Sequence, residues 1–488
     1  MRLWAIFIAV ALCVSCHHPV ERVDSSSPGD EPDRTRRDIV SIAQNSIDLA
    51  SDKYQKFRTQ KLIWTSCGQG ECTNFRVPMD WTQPQGESIE IAMKSRGLGD
   101  VIFYHPGGPG VSAIDHLDQM SVPQHRLIAL DTRGTGHSSA ISCGDQQMRR
   151  YLAADMSPDS DDEEKELVEL SKRVALSCRE HTGDLVDHVS SSEAVYDYEM
   201  ARLLLKEQSV SFWAISYGTV IAQLYRHHFP DHLKAAVLDS SVKLGGVDDL
   251  SAQISAIDEA ISDYLHWRAE RGGMSYEEAY GQLISFLDRS DRQSLGEGET
   301  PSQTRLFYGI VAFLYRGVEG YRDLDDALDD AMDSQPQKLL KAADSLIGED
   351  EVTMRYLASF TAITCADHED KGVDGEMERW KDLRKDFPLG SLIGPNLICP
   401  VWTSPAIALG DLGKVEGAPV LMVHSDRDPI APLNQARKIA DQMPESVMVE
   451  VDSRRHGVST GENSCVNRIV SDYWQKGSLP VRGTHCPS

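Results

Sequence analysis

Short apolar runs alternate with helical segments in two separate parts of this chain, and this alternation constrains the fold most strongly. Between residues 87 and 240 the runs read ESIEIAMKS, DVIFYH, RLIALD, SVSFWAI and LKAAVLDS. The rhythm returns between residues 418 and 451 with APVLMVHS and SVMVEV. Short apolar runs separated by helices are typical of buried parallel strands. The sequence therefore predicts an α/β fold, with a mostly parallel sheet covered by helices on both faces.

A helical block separates the two alternating parts. From about residue 245 to residue 395, segments such as SAQISAIDEAISDYLHWRAE follow one another with few strand signals. This organisation predicts a helical cap, residues 245–395, inserted into an α/β core. The core then consists of a first part, residues 59–244, and a second part, residues 396–488.

The N-terminus has the features of an export signal. Arg2 precedes an apolar stretch from Leu3 to Val14 that is too short to span a bilayer as a mature helix. We predict a signal peptide over residues 1–16 and a flexible, polar tether over residues 17–58. Ser15 before Cys16 resembles a bacterial lipoprotein cleavage site, although Cys13 departs from that pattern. Two alternatives stay open, a plain cleaved signal and a membrane tether through lipidated Cys16.

Cysteine usage agrees with export to the periplasm, the membrane surface or the medium. Eight of the 10 cysteines lie beyond the predicted signal, and an even number in an exported chain suggests disulfides. Spacing alone leaves about 105 pairings. Pairing of sequence neighbours is our hypothesis. It joins Cys67 to Cys72, Cys143 to Cys178, Cys365 to Cys399 and Cys465 to Cys486. The cysteines lack the paired C-x-x-C spacing of zinc sites, so we expect no metal site. We also expect no cofactor.

The net charge of the chain indicates which classes of partner it can bind. Lys and Arg total 49 against 75 Asp and Glu, which gives a formal net charge of −26. Nucleic-acid binding requires a basic surface, so this balance argues against it. Oligomeric state is not determined by the sequence.

Ser216 lies between the apolar run SVSFWAI and the helix-like run YGTVIAQLYRHH. An ordinary turn favours Ser and Gly, whereas a nucleophile elbow places its Ser on a tight strand-to-helix turn. Such elbows need small neighbours, and Gly218 fits; Ala214 replaces the first Gly of G-x-S-x-G.

A serine nucleophile requires an acid and a histidine, which follow it in that order in this type of fold. Asp426 and Asp428 both follow the predicted strand APVLMVHS, and His456 follows the predicted strand SVMVEV. The carboxyl ends of parallel strands share one sheet edge, where catalytic groups gather. We therefore predict a Ser216–Asp428–His456 triad, with Asp426 as the alternative acid.

The stretch YHPGGPGVS after the strand DVIFY predicts an oxyanion hole. Glycines allow a backbone to approach a substrate closely. We assign the two N–H donors to the backbones of Gly108 and Tyr217. A phosphate-binding loop is the competing interpretation, but no Gly-Lys-Ser/Thr follows.

These stretches resemble the secreted tripeptidyl-aminopeptidase and prolyl-aminopeptidase group of α/β-hydrolases. The resemblance runs from about residue 60 to the C-terminus through HPGGPGVS, LDTRGTGHSS, AISYGT, TAITCAD, DRDPIAP, RRHG and the tail SCVNRIVSDYWQKGSLPVRGTHC. It implies the α/β-hydrolase fold and an acyl-enzyme mechanism. It also favours Asp428 over Asp426, because the Asp-Pro-x-x-Pro pattern begins at Asp428. Asp131 is a weaker rival acid, to which we give a loop-bracing role shared with Arg133.

The resemblance implies an exported serine exopeptidase that acts on peptides with a free N-terminus. Such an enzyme must bind an ammonium group, and Asp367 in the predicted cap is a candidate for that contact. Two alternatives stay open. One is an esterase or amide hydrolase with the same triad, acting on a small ester or amide, and the other is a non-catalytic surface lipoprotein.

Overall fold

The computed structural model describes residues 47–243, 248–293, 302–404, 406, 409, 412–414, 416–461 and 463–488. The predicted signal peptide, Cys16 and most of the predicted tether lie outside the described residues. No helix in the described part of the chain is long and apolar enough to cross a bilayer.

In the described part of the chain, one ten-stranded sheet has the order β1-β2-β3-β5-β4-β6-β7-β8-β9-β10. Pairing is antiparallel from β1 to β3 and between β3 and β5, and parallel across all the remaining neighbours. The strands are β1 Thr65–Cys67, β2 Gly70–Pro78, β3 Ser88–Gly97, β4 Asp100–His105, β5 His125–Leu130, β6 Val210–Ile215, β7 Leu233–Asp239, β8 Val420–Ser425, β9 Val447–Val451 and β10 His485–Cys486. The predicted mostly parallel sheet is confirmed.

Helices cover both faces of the sheet, as predicted. Alternate side chains of β4 enter different clusters: Val101 and Phe103 pack on one face, Ile102 and Tyr104 on the other. Burial of β4 on both faces explains why its sequence is almost continuously apolar. The helices outside the cap are α1 Gln55–Arg58, α2 Ala113–His116, α3 Asp145–Leu152, α4 Asp161–Thr182, α5 Ser191–Leu205, α6 Gly218–His228, α14 Leu433–Gln442 and α15 Ser464–Lys476.

Among the described residues, seven α-helices stand between β7 and β8, in the region that the sequence assigns to the cap. Apolar residues from α7 to α11 form a cluster of their own. Residues 323–346 belong to two successive helices, which are separated near Ser334, whose φ is 66°, and Pro336. The helices are α7 Asp248–Gly272, α8 Tyr276–Gln293, α9 Gln303–Leu314, α10 Val318–Met332, α11 Gln337–Ile347, α12 Glu351–Asp367 and α13 Gly372–Asp386.

Residues 47–58, which the sequence assigns to the flexible tether, pack against the core instead. Tyr54 and Phe57 are buried, and the Tyr54 hydroxyl donates to the Trp81 carbonyl at 2.6 Å. The predicted boundary between the tether and the core, at residue 58, is therefore wrong. The segment is mostly polar in composition, which led to the prediction of a flexible tether. Its two aromatic side chains are nevertheless buried, and their burial stabilises the fold.

The eight cysteines form four disulfides. The bonds join Cys67 to Cys72, Cys143 to Cys178, Cys365 to Cys399 and Cys465 to Cys486. This is the pairing of sequence neighbours that we hypothesised.

Candidate active site

Ser216 occupies a sharp turn between β6 and α6. Its φ is +54°, a left-handed conformation that is uncommon for residues other than glycine and that marks strained functional turns. The Ser216 carbonyl accepts from the Thr219 N–H at 2.8 Å, which closes the turn. The structure therefore has the strand, turn and helix that a nucleophile elbow requires.

Gly218 allows α6 to begin close to β4. A Cβ at residue 218 would lie 2.9 Å from the Cβ, the Nδ1 and the carbonyl oxygen of His105. Real Cβ atoms do not tolerate such contacts with backbone, so this position excludes larger residues. This close approach explains why a small residue, Gly218, follows shortly after Ser216.

Asp428 and His456 lie side by side at the carboxyl edge of the sheet. His456 Nδ1 is 2.8 Å from Asp428 Oδ1 and 3.1 Å from Oδ2. Asp428 also accepts the backbone N–H groups of Ile430 at 3.0 Å and Ala431 at 2.9 Å. Asp426 instead accepts the N–H of Ser453 at 3.0 Å. The carboxylate beside the imidazole is therefore that of Asp428.

Asp428 and His456 each shift the pKa of the other. Burial alone would raise the pKa of Asp428, but the His456 charge and hydrogen bond outweigh it and lower that pKa to about 2. Burial disfavours the His456 cation, yet the Asp428 carboxylate raises the pKa of His456 above its usual 6.5. Asp428 is therefore ionised at neutral pH, as an acid that orients an imidazole must be.

Asp239, at the end of β7, fastens the Ser216 turn and the His456 loop to one point. Its carbonyl accepts the Ser216 N–H at 2.9 Å. Its fully buried carboxylate accepts the N–H groups of Val458 at 3.0 Å and Ser459 at 2.6 Å. Sequence reasoning missed this residue, although its position at the end of the run LKAAVLD was a usable signal.

The loop after β4 lies against Ser216. A Cβ on Gly107, whose φ is +124°, would come within 3.1 Å of Ser216 Cβ. Buried His105, whose pKa is lowered to about 4 by burial, accepts the Gly107 N–H on Nδ1 at 3.1 Å. Within the described residues, the N–H groups of Gly108 and Tyr217 have no acceptor. These two groups are therefore available to a ligand.

Asp131 has the bracing role that we gave it. Its buried carboxylate accepts from the Ser112 hydroxyl and from the N–H groups of Ile114 at 3.1 Å and His137 at 2.8 Å. Arg133 points elsewhere: its guanidinium pairs with Asp197 at 2.7 Å. Asp131 thus holds the segment that follows the Gly-rich loop, and Arg133 braces the neighbouring helix α5.

A cavity of about 380 Å³ extends from Ser216 into the cap. Gly108, Ser216 and Tyr217 are among the residues that line it. Cap residues line it as well, among them aromatic and acidic side chains. Aromatic side chains are Tyr308, Tyr315, Tyr356 and Phe360, and acidic side chains are Asp367, Glu369, Asp370 and Glu376. The Tyr315 ring lies 5.6 Å from the His456 ring, centroid to centroid, so the aromatic wall reaches the histidine.

The cap also holds the loops that carry Asp428 and His456. The carboxylate of Asp263, on α7, lies 2.9 Å from Arg427 Nη1 and 2.7 Å from Arg454 Nε. The Tyr315 carbonyl accepts the His456 N–H at 3.3 Å. The cap therefore contacts the loops that carry Asp428 and His456 as well as lining the cavity.

Asp367 does not project freely from the cap. It is buried, and its carboxylate accepts from the Ser191 N–H at 2.7 Å and from the Ser191 hydroxyl at 2.5 Å. The structure thus gives this carboxylate a protein partner in the place of the expected substrate ammonium. No cluster suited to a metal ion occurs among the residues that the structure describes.

Two family models match the chain. The model described as "alpha/beta hydrolase fold" matches residues 100–271, which include Ser216. The model described as "TAP-like protein" matches residues 390–486, which include Asp428 and His456.

Three curated relatives illustrate the similarity. A tripeptidyl aminopeptidase of Streptomyces coelicolor is 25% identical over 451 residues, covering 85% of this chain and 83% of that protein. The serine protease Hip1 of Mycobacterium tuberculosis is 25% identical over 478 residues, covering 88% and 91%. A carboxylesterase B of the same species is 23% identical over 475 residues, covering 87% and 89%. The predicted resemblance is confirmed.

Proposed function

Because this chain is a serine hydrolase with the α/β-hydrolase fold, we propose that it is an exopeptidase that cleaves short peptides near a free N-terminus. The observation that carries the proposal is the cavity, because Ser216 and acidic cap residues both line it. An ammonium group held by those acids would leave the scissile carbonyl of a short peptide at the serine.

The proposed chemistry uses three side chains. Asp428 binds His456 at Nδ1, so Nε2 is the nitrogen that accepts the proton of the Ser216 hydroxyl. Ser216 Oγ then attacks the scissile carbonyl, and the protonated His456 returns the proton to the departing amine. Water, deprotonated by His456, hydrolyses the acyl-enzyme and frees Ser216.

Two backbone donors stabilise the charge that develops on the carbonyl oxygen. The N–H groups of Gly108 and Tyr217 lack acceptors among the described residues and border the cavity beside Ser216. Donors fixed before the reaction need no reorganisation as charge develops, which is the main advantage of an oxyanion hole.

The ammonium of the substrate is assigned to the acids beyond Asp367. Glu369 and Asp370 line the cavity, and neither forms an ion pair among the described residues. Glu376 lies 2.8 Å from Arg379, which neutralises much of its charge. Glu369 and Asp370 are therefore the proposed ammonium partners.

We also propose export. The chain has four disulfides. Disulfides form and persist mainly in oxidising compartments outside the cytosol. The candidate signal over residues 1–16 agrees with this proposal. Cys16 is the residue to which a lipid tether would be attached.

The test compares three substrates: a peptide p-nitroanilide with a free amine, its N-acetylated form and a simple ester. We expect kcat/KM to fall at least about 100-fold on acetylation, because the acids then lose a charged partner. An unchanged rate would contradict the exopeptidase proposal. Preference for the ester would favour the esterase alternative, which the carboxylesterase relative supports.

Covalent labelling separates an enzyme from a non-catalytic lipoprotein. A fluorophosphonate probe should label the wild type, and S216A should abolish the labelling because its nucleophile is missing. Absence of labelling in the folded wild type would favour the non-catalytic alternative. S290A is the matched control and should label as the wild type does, since Ser290 is a buried serine in α8 whose hydroxyl donates to the Phe286 carbonyl at 3.0 Å.

A further inference from the structure

Asp367 and Ser191 connect the cap to Tyr217, the residue that directly follows the proposed nucleophile Ser216. Ser191 Oγ lies 2.5 Å from Asp367 Oδ2 and 2.5 Å from the Tyr217 hydroxyl oxygen. All three residues are buried. Tyr217 directly follows Ser216 in the chain, so this hydrogen-bonded chain runs from the end of α12 to the elbow.

We propose that Asp367 is a positioning residue which, through Ser191, orients Tyr217 and thereby the backbone N–H at the oxyanion hole. The proposal rests on the proposed function, since it assigns Tyr217 as an oxyanion donor. It gives Asp367 a role other than ammonium binding.

Ionised Asp367 fixes the direction of both hydrogen bonds. A carboxylate only accepts, so the Ser191 hydroxyl must donate to it, and the Tyr217 hydroxyl must then donate to Ser191. Protonated Asp367 can donate to Ser191 instead, which frees the Ser191 hydrogen to turn towards Tyr217. The Ser191 N–H bond to Asp367 Oδ1 survives either way, so the chain has two arrangements and one stable anchor.

Protonation of Asp367 falls within an accessible pH range. Burial, only partly offset by the Ser191 bonds, raises the pKa of Asp367 to about 6. The ionisable groups facing it are Glu193 of α5, Tyr217 of the elbow and His368 of its own segment. Glu193 lies 3.0 Å from His188, whose pKa is raised by Glu193 against the effect of burial. Glu369 and Asp370 border the same cavity.

Asp367→Asn imitates the protonated acid at every pH. Its amide oxygen can accept the Ser191 N–H, while its amide nitrogen can only donate to Ser191 Oγ. D367N should therefore have, at pH 8, the hydrogen-bond arrangement around residue 367 that the wild type has at pH 5. A variant that was harmful only through lost stability would show no such relation.

The experiment measures the second-order rate of fluorophosphonate labelling from pH 5 to pH 8. This probe has no amino group, so ammonium binding does not contribute. We expect the ratio of wild-type to D367N rates to be about ten at pH 8, a fraction of the effect of deleting an oxyanion donor. The ratio should fall to about one at pH 5, because the wild type then has protonated Asp367.

Two further variants complete the design. Tyr217→Phe removes the hydroxyl and keeps the backbone N–H, so the ratio of wild-type to Y217F rates should also exceed one at pH 8 and fall towards pH 5. This variant tests the proposal even if D367N folds poorly. Asp350→Asn is the matched control: Asp350 caps the other end of α12, accepting from the Val352 and Thr353 N–H groups, and its ratio should stay at one.

The outcomes are distinguishable. A ratio that is constant with pH in both D367N and Y217F would overturn this inference while leaving the serine hydrolase intact. Normal labelling of D367N combined with impaired hydrolysis of free-amine peptides would also overturn it, in favour of ammonium binding. Failure of the wild type to label would instead refute the proposed function.

Discussion

At the level of single residues, the proposed mechanism makes Asp428 and His456 set the pH range in which Ser216 is activated. His456 must be neutral to accept a proton, and Asp428 stabilises its cation. The activity of the wild type should therefore rise with pH through a midpoint above 6.5, the ordinary value for histidine. Asp428 keeps its charge throughout this range, because its pKa is about 2.

Asp428→Asn should change both the height and the midpoint of this profile. Removal of the carboxylate destabilises the cation, so the pKa of His456 falls and the midpoint of kcat/KM moves to lower pH. Loss of the orienting acid should lower the maximum by about 10⁴-fold. The measurement is kcat/KM against pH for both proteins.

Asp426→Asn is the control for this profile. Asp426 lies on the same loop but accepts the Ser453 N–H, and it forms no hydrogen bond or ion pair with His456 among the described residues. Its midpoint should match the wild type. A D428N midpoint equal to that of the wild type would show that Asp428 does not set the pKa of His456.

The three proposed catalytic residues could be identified from the sequence because each follows an apolar strand in the expected order. What each polar side chain binds could not be identified. Asp239 and Asp367 are both acids near the ends of apolar segments, yet one fastens two loops and the other binds Ser191. Only three-dimensional neighbours distinguish these roles, because a carboxylate accepts equally well from any nearby donor.

At the level of elements, the close approach of β4 and α6 depends on Gly218. Gly218→Ala would place a Cβ 2.9 Å from the His105 carbonyl oxygen and force the strand and helix apart. We expect a loss of about 1–3 kcal/mol in the free energy of unfolding, together with lower activity, because the elbow moves with the helix. Urea unfolding and p-nitroanilide turnover measure the two effects.

Gly281→Ala is the matched control within another helix. Gly281 lies in α8, is exposed, and would meet nothing within 4 Å of an added Cβ. Alanine is the better helix former, so G281A should stabilise the protein by up to about 1 kcal/mol. If G218A were equally harmless, the steric explanation of the elbow would be wrong.

The strands and core helices could be predicted because their periodicity and boundaries are local. Ser160 and Glu163 form the capping box that begins α4, a signal visible in the sequence SDDE. The packing of the cap could not be predicted, since an amphipathic helix specifies that a face is buried but not against which neighbour. Residues 52–58 illustrate the same limit: two aromatics in a polar segment do not reveal their docking site.

At the level of the whole molecule, the disulfides differ in how much chain they constrain. Cys67 and Cys72 are five residues apart and half-buried, whereas Cys365 and Cys399 are 34 residues apart and both buried. The second bond joins the end of α12, which carries Asp367, to the segment that leads back to the core. It should therefore contribute more to stability and to the shape of the cavity.

Removal of each bond by paired serine substitution tests this difference. By loop entropy alone, C67S/C72S should lose about 2 kcal/mol and C365S/C399S about 4 kcal/mol, because a longer closed loop restricts the unfolded chain more. Calorimetry should give a lower Tm for both variants and a larger decrease for C365S/C399S. Reductant should reproduce at least the sum of the two decreases in the wild type, since all four bonds then open. Equal decreases, or an unchanged Tm under complete reduction, would mean that these bonds do not stabilise the fold by constraining the unfolded chain.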